Sequence, residues 1–231
     1  MKKLQAVLCS AALLFAGLSW GLDVQVGRAK IVLDSDKWQV LAQSNKPATY
    51  GGEASGSHGA TQKTLVLSDE TGKLLAMLKI DSTDAGAGVR MHFTGGCKKF
   101  NDSNAYAFDA TRGSFTEVDC LRLLNVVYPK TFLERNFKTE LTAIEEKKLQ
   151  LPQKASFIGQ MVGIGSGTYL YIGILLDEKW VGAQVGQIAD GLPPTIKPEA
   201  AAWGQLLAKS VRDSVRSMSG DTPIPTIAFK P

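Results

Sequence analysis

Metal ligands and catalytic histidines are scarce in this chain. Its 231 residues include three cysteines and two histidines, and the histidines do not have the H-x-x-x-H spacing of a zinc site. Neither sign of charge is in large excess, because the chain has 26 Lys and Arg residues and 22 Asp and Glu residues, which gives a net charge of only +4. A positive charge this small and this scattered argues against nucleic acid as a partner. The composition therefore predicts neither a metal centre nor a cofactor.

Long hydrophobic runs are also absent, except near the N-terminus. A short cationic start, Met1-Lys2-Lys3, precedes an apolar run over residues 6–18. This run is shorter than the roughly 20 residues of a membrane-spanning helix, and Ser19 and Gly21 then stand at the −3 and −1 positions of a cleavage site. We predict that residues 1–21 are a cleaved Sec-type signal peptide of a bacterial protein, periplasmic or secreted. A retained anchor is the alternative, and no transmembrane segment is expected in the mature chain.

Cleavage of this signal changes the charge and the number of cysteines. It removes two lysines, so that the net charge falls from +4 to +2, and it removes Cys9. The remaining Cys97 and Cys120 are a lone pair in an exported domain, a pattern typical of a disulfide. Residues 98–119 between them are rich in Asn, Asp, Ser and Gly, so a covalent link would stabilise a segment with little core of its own. Two unpaired buried thiols are the alternative.

With 44% hydrophobic and 21% charged residues, the chain has the composition of a globular protein. Residues 22–220 are expected to form one α+β domain, followed by an extended, proline-rich tail over residues 221–231. Residues 46–62, with four glycines among few apolar residues, are expected to be a long loop. Alternation of apolar and polar residues predicts the strands, which are residues 24–33 with a turn at Gly27-Arg28, then 38–42, 63–67, 74–80, 89–93 and 118–127.

Two helices are expected. The first begins at Thr131, because Thr131-Phe132-Leu133-Glu134 has the pattern of a capping box, and Pro152 bars its continuation. The second opens near Pro198 and buries an apolar stripe from Trp203 to Met218. One helix within the chain, one near its end and no regular βαβ alternation favour an α+β fold with an antiparallel sheet packed by these helices.

Three strands between the helices carry the most informative pattern. Residues 156–164, 168–176 and 180–188 are joined by short connections, which link antiparallel neighbours and therefore predict a three-strand meander. One face of the meander is aliphatic and is expected to lie in the core. The other face, called the glycine face, combines strand glycines with aromatic residues, namely Phe157, Gly159, Gly163, Tyr169, Tyr171, Gly173, Trp180, Gly182 and Gly186.

The order of these elements resembles that of the PsbP/Mog1-like sandwiches. In those folds a C-terminal helix also closes on a sheet. The resemblance implies an α/β sandwich, and a shared architecture implies nothing about activity.

The sequence motifs do not assemble a catalytic site. Residues 163–167, G-I-G-S-G, lack the G-x-G-x-x-G spacing and precede a strand, so they predict a hairpin turn rather than a phosphate loop. The enzymatic alternative is an envelope hydrolase that uses His58 or His92 as base. Its orienting acid would be an aspartate, with Asp81, Asp84 and Asp109 as the candidates.

Two explanations account for the glycine face, because glycine within a strand often marks a close approach to the backbone. In the first, the helix from Trp203 to Met218 packs on the glycines and buries the aromatic residues. In the second, Tyr169, Tyr171 and Trp180 remain open to solvent and hold a ligand or an extended peptide. We predict a non-enzymatic envelope protein, a binding or accessory module whose partner is a small ligand or another envelope protein.

Overall fold

The computed structural model describes residues 21–48, 58–84, 93, 97, 104–181, 192–217 and 220–229. The expected signal peptide, His92, Gly182 and Gly186 lie outside these residues, as does the side chain of His58. The described elements follow the chain in this order: β1 (Leu22–Val26), β2 (Ala29–Leu33), β3 (Gln39–Ala48), β4 (His58–Ser68), β5 (Leu74–Thr83), β6 (Ala105–Asp109), β7 (Glu117–Val126), α1 (Pro129–Asn136), α2 (Lys138–Glu146), β8 (Ala155–Ile164), β9 (Thr168–Asp177), β10 (Trp180–Val181), α3 (Pro198–Arg216), β11 (Asp221–Pro223) and β12 (Ala228–Phe229).

Seven of these strands form one antiparallel sheet at the centre of the fold. Its strand order is β3-β4-β5-β9-β8-β7-β6. The two central strands, β8 and β9, pair along their whole length, from Ala155 opposite Asp177 to Ile164 opposite Thr168. Both strands are almost wholly buried, as expected for strands covered on both faces. The predicted α+β class with a mostly antiparallel sheet is confirmed, with three helices in the described residues instead of the expected two.

Helix α3 packs on one face of the large sheet, called the α3 face, together with the small sheet β1-β2-β11. Ile158 and the aliphatic residues on the same face of β8 and β9 lie in this core with Trp203 of α3. The Trp203 ring is completely buried and meets the Trp180 ring edge-on, with centroids 5.9 Å apart. The Trp203 indole N–H donates to the Thr226 carbonyl at 3.1 Å. The aliphatic face of the central strands is therefore the main core.

A buried polar network joins α3 to the sheet. Arg212 of α3 donates from Nε and Nη2 to the carboxylate of Asp119 on β7, at 2.5 Å and 3.1 Å. The side-chain amide of Gln160 on β8 donates to the same carboxylate at 2.8 Å. Asp119 is only 8% exposed, and ion pairs shielded from water depend strongly on complete pairing. The network therefore ties α3 to two strands at once.

The expectation that α3 covers the strand glycines is wrong. Helix α3 lies on the opposite, aliphatic face, where branched side chains offer more apolar surface than glycines do. A glycine of the helix permits close packing there, because a Cβ built on Gly204 would lie 3.0 Å from the Leu123 side chain and 3.4 Å from that of Ile158. The glycine face is instead covered at one end by α1 and α2, whose buried Leu133 and Ile144 share a core with Phe157.

At Trp180 and Val181, the part that the structure describes, the third strand of the expected meander does not pair with β9. Strand β5 occupies that position, with Ala76 opposite Leu176 and Ser82 opposite Leu170. The chain turns away after β9, where the Asp177 carboxylate accepts a hydrogen bond from the Lys179 amide at 2.8 Å. The next strand, β10, pairs with β12 near the C-terminus. The central strands β7, β8 and β9 are adjacent in space, although α1 and α2 separate β7 from β8 in the chain.

Two other boundaries differ from the sequence prediction. Strands β3 and β4 extend into the expected loop over residues 46–62, since β3 ends at Ala48 and β4 begins at His58. The first helix begins at Pro129 rather than at Thr131, because proline suits the first helical position. Phe137, with φ −144° and ψ 51°, then interrupts the helix and divides α1 from α2.

The C-terminal segment packs into the same folded unit. Strand β11 pairs in parallel with β2, and Thr222 and Ile224 are buried. The Thr222 hydroxyl donates to the Ser214 hydroxyl of α3 at 2.6 Å. Among the helices that the structure describes, none is both long enough and apolar enough to cross a bilayer.

Candidate functional site

Two glycines lie side by side in the middle of the glycine face. Gly159 of β8 stands directly opposite Gly173 of β9. The same row across the sheet continues to Lys79 of β5 on one side and to Arg122 of β7 on the other. Residues paired across antiparallel strands project to the same face, so the glycines leave a gap between two basic residues. This gap is the starting point of the candidate site.

Two aromatic rings fill the bottom of the gap. A Cβ built on Gly159 would lie 3.1 Å from the Phe157 ring, and a Cβ built on Gly173 would lie 2.5 Å from the Tyr171 hydroxyl oxygen. A side chain at either glycine would therefore have to displace a ring. The glycines allow Phe157 and Tyr171 to lie against the backbone, where they form a mostly apolar floor.

A groove of about 720 Å³ opens above this floor. Small-molecule sites typically have volumes of roughly 300–1,000 Å³. Strand β7 lines the groove on one side with Arg122 and Leu124, and α1 lines it on the other side with Thr131, Phe132 and Arg135. The groove therefore has the size of a ligand site, and its lining is mostly apolar with two arginines.

Apolar side chains continue from the floor to the rim. The rings of Phe132, Phe137 and Phe157 form one cluster, with centroid separations of 5.1 Å to 5.7 Å. At the rim, Val127 and Tyr128 are 39% and 74% exposed. A continuous apolar surface thus leads from solvent to the glycine pair, and exposed apolar surface of this kind is typical of binding sites.

A buried ion pair fixes the helical side of the groove. The carboxylate of Glu140 on α2 lies 2.5 Å from the Lys79 ammonium on β5 and accepts a hydrogen bond from the Thr64 hydroxyl at 3.3 Å. The Lys79 ammonium also stands over the Phe137 ring, 5.4 Å from its centroid. Because Glu140 is almost completely buried, these contacts anchor α2 to the sheet and hold the junction with α1 in place.

Tyr171 is the polar group of the floor. Burial raises the pKa of Tyr171 above its usual value of 10.0, and the negative charges of Asp81 and Glu140 act in the same direction. The positive charge of Arg122 opposes this shift. At neutral pH the phenol is therefore uncharged and presents a hydroxyl that can donate or accept a hydrogen bond in the groove.

The far end of the glycine face is closed. A Cβ built on Gly163 would lie 2.5 Å from the Phe93 ring, so that ring covers the third glycine. The sulfurs of Cys97 and Cys120 are at bonding distance, with Cα atoms 5.2 Å apart. Both cysteines belong to a small core cluster with Phe93 and Tyr169, which seals this end of the face against solvent.

The three aromatic residues expected to hold a ligand lie in three different environments. Tyr169 is buried in the cluster around the cysteine pair, at 6% exposure, and Trp180 is buried against Trp203 on the α3 face, at 4% exposure. The placement of Trp180 on the glycine face is therefore wrong. Only Tyr171, which is half-buried, reaches the groove.

The three aspartates proposed as orienting acids of a hydrolase accept hydrogen bonds from described residues other than histidine. Burial alone would raise the pKa of Asp109, but hydrogen bonds from Thr111 and Gly113 outweigh it and lower the pKa overall. The Asp84 carboxylate accepts from the Thr61 hydroxyl at 2.7 Å, and Asp81 accepts from the Gln62 amide at 2.9 Å. Because both histidine side chains fall outside the described part of the chain, the hydrolase stays a prediction. Where side chains are described, no cluster of three potential metal ligands occurs.

Sequence reasoning missed most of the groove lining. Arg122 could have been found, because it follows Cys120 by two positions in an expected strand and so projects to the same face. The contributions of α1 could not, since nothing in the local pattern of Phe132 and Arg135 says which strand face the helix will cover.

No protein-family model, no curated protein and no solved structure matches the chain. The functional argument accordingly depends on the groove and on the residues that line it.

Proposed function

We propose that the protein is a binding module of the bacterial cell envelope, periplasmic or secreted, that holds an apolar ligand in the groove above Gly159 and Gly173. The observation that carries this proposal is the glycine pair beneath Phe157 and Tyr171. Glycine weakens a strand interior, and here Gly159 lines a groove of about 720 Å³ to which Phe157 and Tyr171, lying against the two glycines, contribute their rings.

The chemistry of the lining supports an apolar ligand. Aromatic rings supply large, rigid contact surfaces at a low cost in side-chain entropy, and three phenylalanines and Tyr171 meet at the groove. The exposed Val127 and Tyr128 extend this surface to the solvent. A ligand seated there would remove these side chains from water, which is favourable by about 25 cal/mol per Å² of apolar surface.

Two features of the sequence support export. The first 21 residues have the layout of a cleaved signal peptide, and the cysteines that remain, Cys97 and Cys120, are the pair found at bonding distance. We also propose the sandwich architecture of PsbP/Mog1-like proteins, because α3 near the C-terminus closes on an antiparallel sheet.

The proposal can be tested with N-phenyl-1-naphthylamine, a neutral apolar dye whose fluorescence rises on transfer from water to an apolar site. We expect the wild-type protein to bind the dye, and we expect Thr131→Trp to weaken binding by about tenfold or more. Thr131 is exposed on α1 and lines the groove, so an indole there would occupy the ligand volume without disturbing the core.

The matched control is Glu134→Trp, which adds the same ring to an exposed position of the same helix that does not line the groove. This variant should bind the dye as the wild type does. Equal weakening by both substitutions, or no binding by the wild type, would contradict the proposed function.

A further inference from the structure

The groove has an uneven distribution of charge. Of the described side chains that line it, Arg122 and Arg135 are cationic and none is a carboxylate. Arg122 lies on the sheet side, in the same row as the glycine pair, and Arg135 is exposed on α1. The two arginines come from different elements that are adjacent only in the folded chain. The lining therefore combines positive charge with a mostly apolar surface that also carries uncharged polar side chains such as Asn104 and Asn125.

Two acidic groups of the described part of the chain, Asp81 and Glu140, lie near the Tyr171 end of the groove. Asp81 and Glu140 both act on the Tyr171 hydroxyl, but Asp81 accepts a hydrogen bond from the Gln62 amide and Glu140 pairs with the Lys79 ammonium. Both stand on the β4–β5 side of the glycine pair, whereas Arg122 stands on the β7 side. In the strand register the glycine pair therefore lies between Arg122 and these two carboxylates, and the charges of all three groups reach the Tyr171 hydroxyl.

Arg122 is half-buried, and this position strengthens its effect on a ligand. Attraction between charges increases as water is excluded, and a guanidinium presents donors in a fork that matches both oxygens of a carboxylate. The neutral Tyr171 hydroxyl borders the same floor and offers a further donor. The apolar surface at Phe132 and Phe157 lies next to these groups within one groove.

Building on the proposed function, we propose that the ligand is an amphiphile with a carboxylate head and an apolar tail. The carboxylate is bound by Arg122 at the glycine pair, and the tail lies along Phe132 and Phe157 towards Tyr128. Arg135 adds positive charge at the open side of the groove.

The test measures displacement of bound N-phenyl-1-naphthylamine by three competitors with the same ten-carbon tail, namely decanoate, 1-decanol and decylammonium. We expect decanoate to displace the dye at the lowest concentration and decylammonium at the highest, with about tenfold or more between them. Decylammonium lacks the charge-assisted hydrogen bond that the carboxylate accepts from the guanidinium, and its positive charge is repelled by the arginines. Arg122→Gln should weaken displacement by decanoate about tenfold while changing that by 1-decanol less than twofold. Arg216→Gln, an exposed site at the end of α3, should change neither.

The possible outcomes separate this inference from the proposed function. Equal displacement by the three competitors would overturn the carboxylate inference and leave the apolar groove intact. Absence of dye binding would overturn the proposed function itself. If Arg122→Gln does not fold, the order in which the three competitors displace the dye from the wild type and from Arg135→Gln still tests the inference. Displacement at the lowest concentration by decylammonium or by the uncharged 1-decanol contradicts it.

Discussion

Replacing Asp119 by alanine is expected to lower the free energy of unfolding by about 3–5 kcal/mol, the range for removing one partner of a buried ion pair. Asp119 accepts from Arg212 of α3 and from Gln160 of β8. Its loss leaves a guanidinium and an amide without their acceptor at the boundary between helix and sheet. Urea unfolding, followed by the tryptophan fluorescence to which the buried Trp38, Trp180 and Trp203 contribute, measures the change.

Two further variants show whether the pairing causes the loss. Asp213→Ala, which removes an exposed carboxylate from a pair with Lys209 on the same helix, should change stability by no more than about 0.5 kcal/mol. Asp119→Leu combined with Arg212→Met should recover part of the stability, because two apolar groups replace a charge pair. A small effect of Asp119→Ala would contradict the account of how α3 is held.

Loss of the link between Cys97 and Cys120 is expected to have the second largest effect. The two residues are 23 positions apart, and closing a loop of that length stabilises a fold by about 3 kcal/mol on the chain-entropy model. For a domain of this size the thermal midpoint should fall by about 5–10 °C in reductant. Calorimetry with and without dithiothreitol measures the shift.

The control is the double variant Cys97→Ala, Cys120→Ala. Its midpoint should already be low and should not respond to dithiothreitol. A midpoint of the wild type that is the same in oxidant and in reductant would show that the sulfurs, although at bonding distance, are not linked.

The pairing of β8 and β9 could be predicted because the information is local. Alternation in residues 156–176 marks both strands, and the short turn at Gly165–Gly167 makes them antiparallel neighbours. The place of β5 beside β9 could not be predicted in the same way, because a strand from the first half of the chain competes with β10 for that edge. Side-chain packing over the whole sheet determines which strand pairs with β9, and no local sequence pattern predicts it.

The side of the sheet on which α3 packs shows the same limit. The apolar stripe of α3 around Trp203 and Leu207 can be seen in the sequence. Such a stripe predicts that one side of the helix is buried, but not which face of the sheet it packs against. Gly204, which lets the helix approach Leu123 and Ile158 closely, points to the aliphatic face only once the strand order is known. The helix therefore leaves the glycine pair uncovered, and the groove exists for that reason.

For the candidate site, the sequence pattern indicated that the two glycines and Tyr171 share one face of the sheet, but it did not indicate the residues of α1 that line the groove. Gly159, Gly173 and Tyr171 stood out because glycine and tyrosine alternate within strands. Phe132 and Arg135 reach the groove only because α1, in the connection from β7 to β8, packs against the glycine face. Such a path depends on long-range topology rather than on the residues of α1.

The central claim is that a ligand occupies the groove above Gly159 and Gly173, and amide chemical shifts test it most directly. In a ¹⁵N–¹H spectrum of the wild-type protein titrated with N-phenyl-1-naphthylamine, the amides of Gly159, Gly173 and Phe132 should shift, while those of α3 around Leu207 stay in place. Shifts that cluster on α3, or are spread evenly over both faces of the sheet, would contradict it.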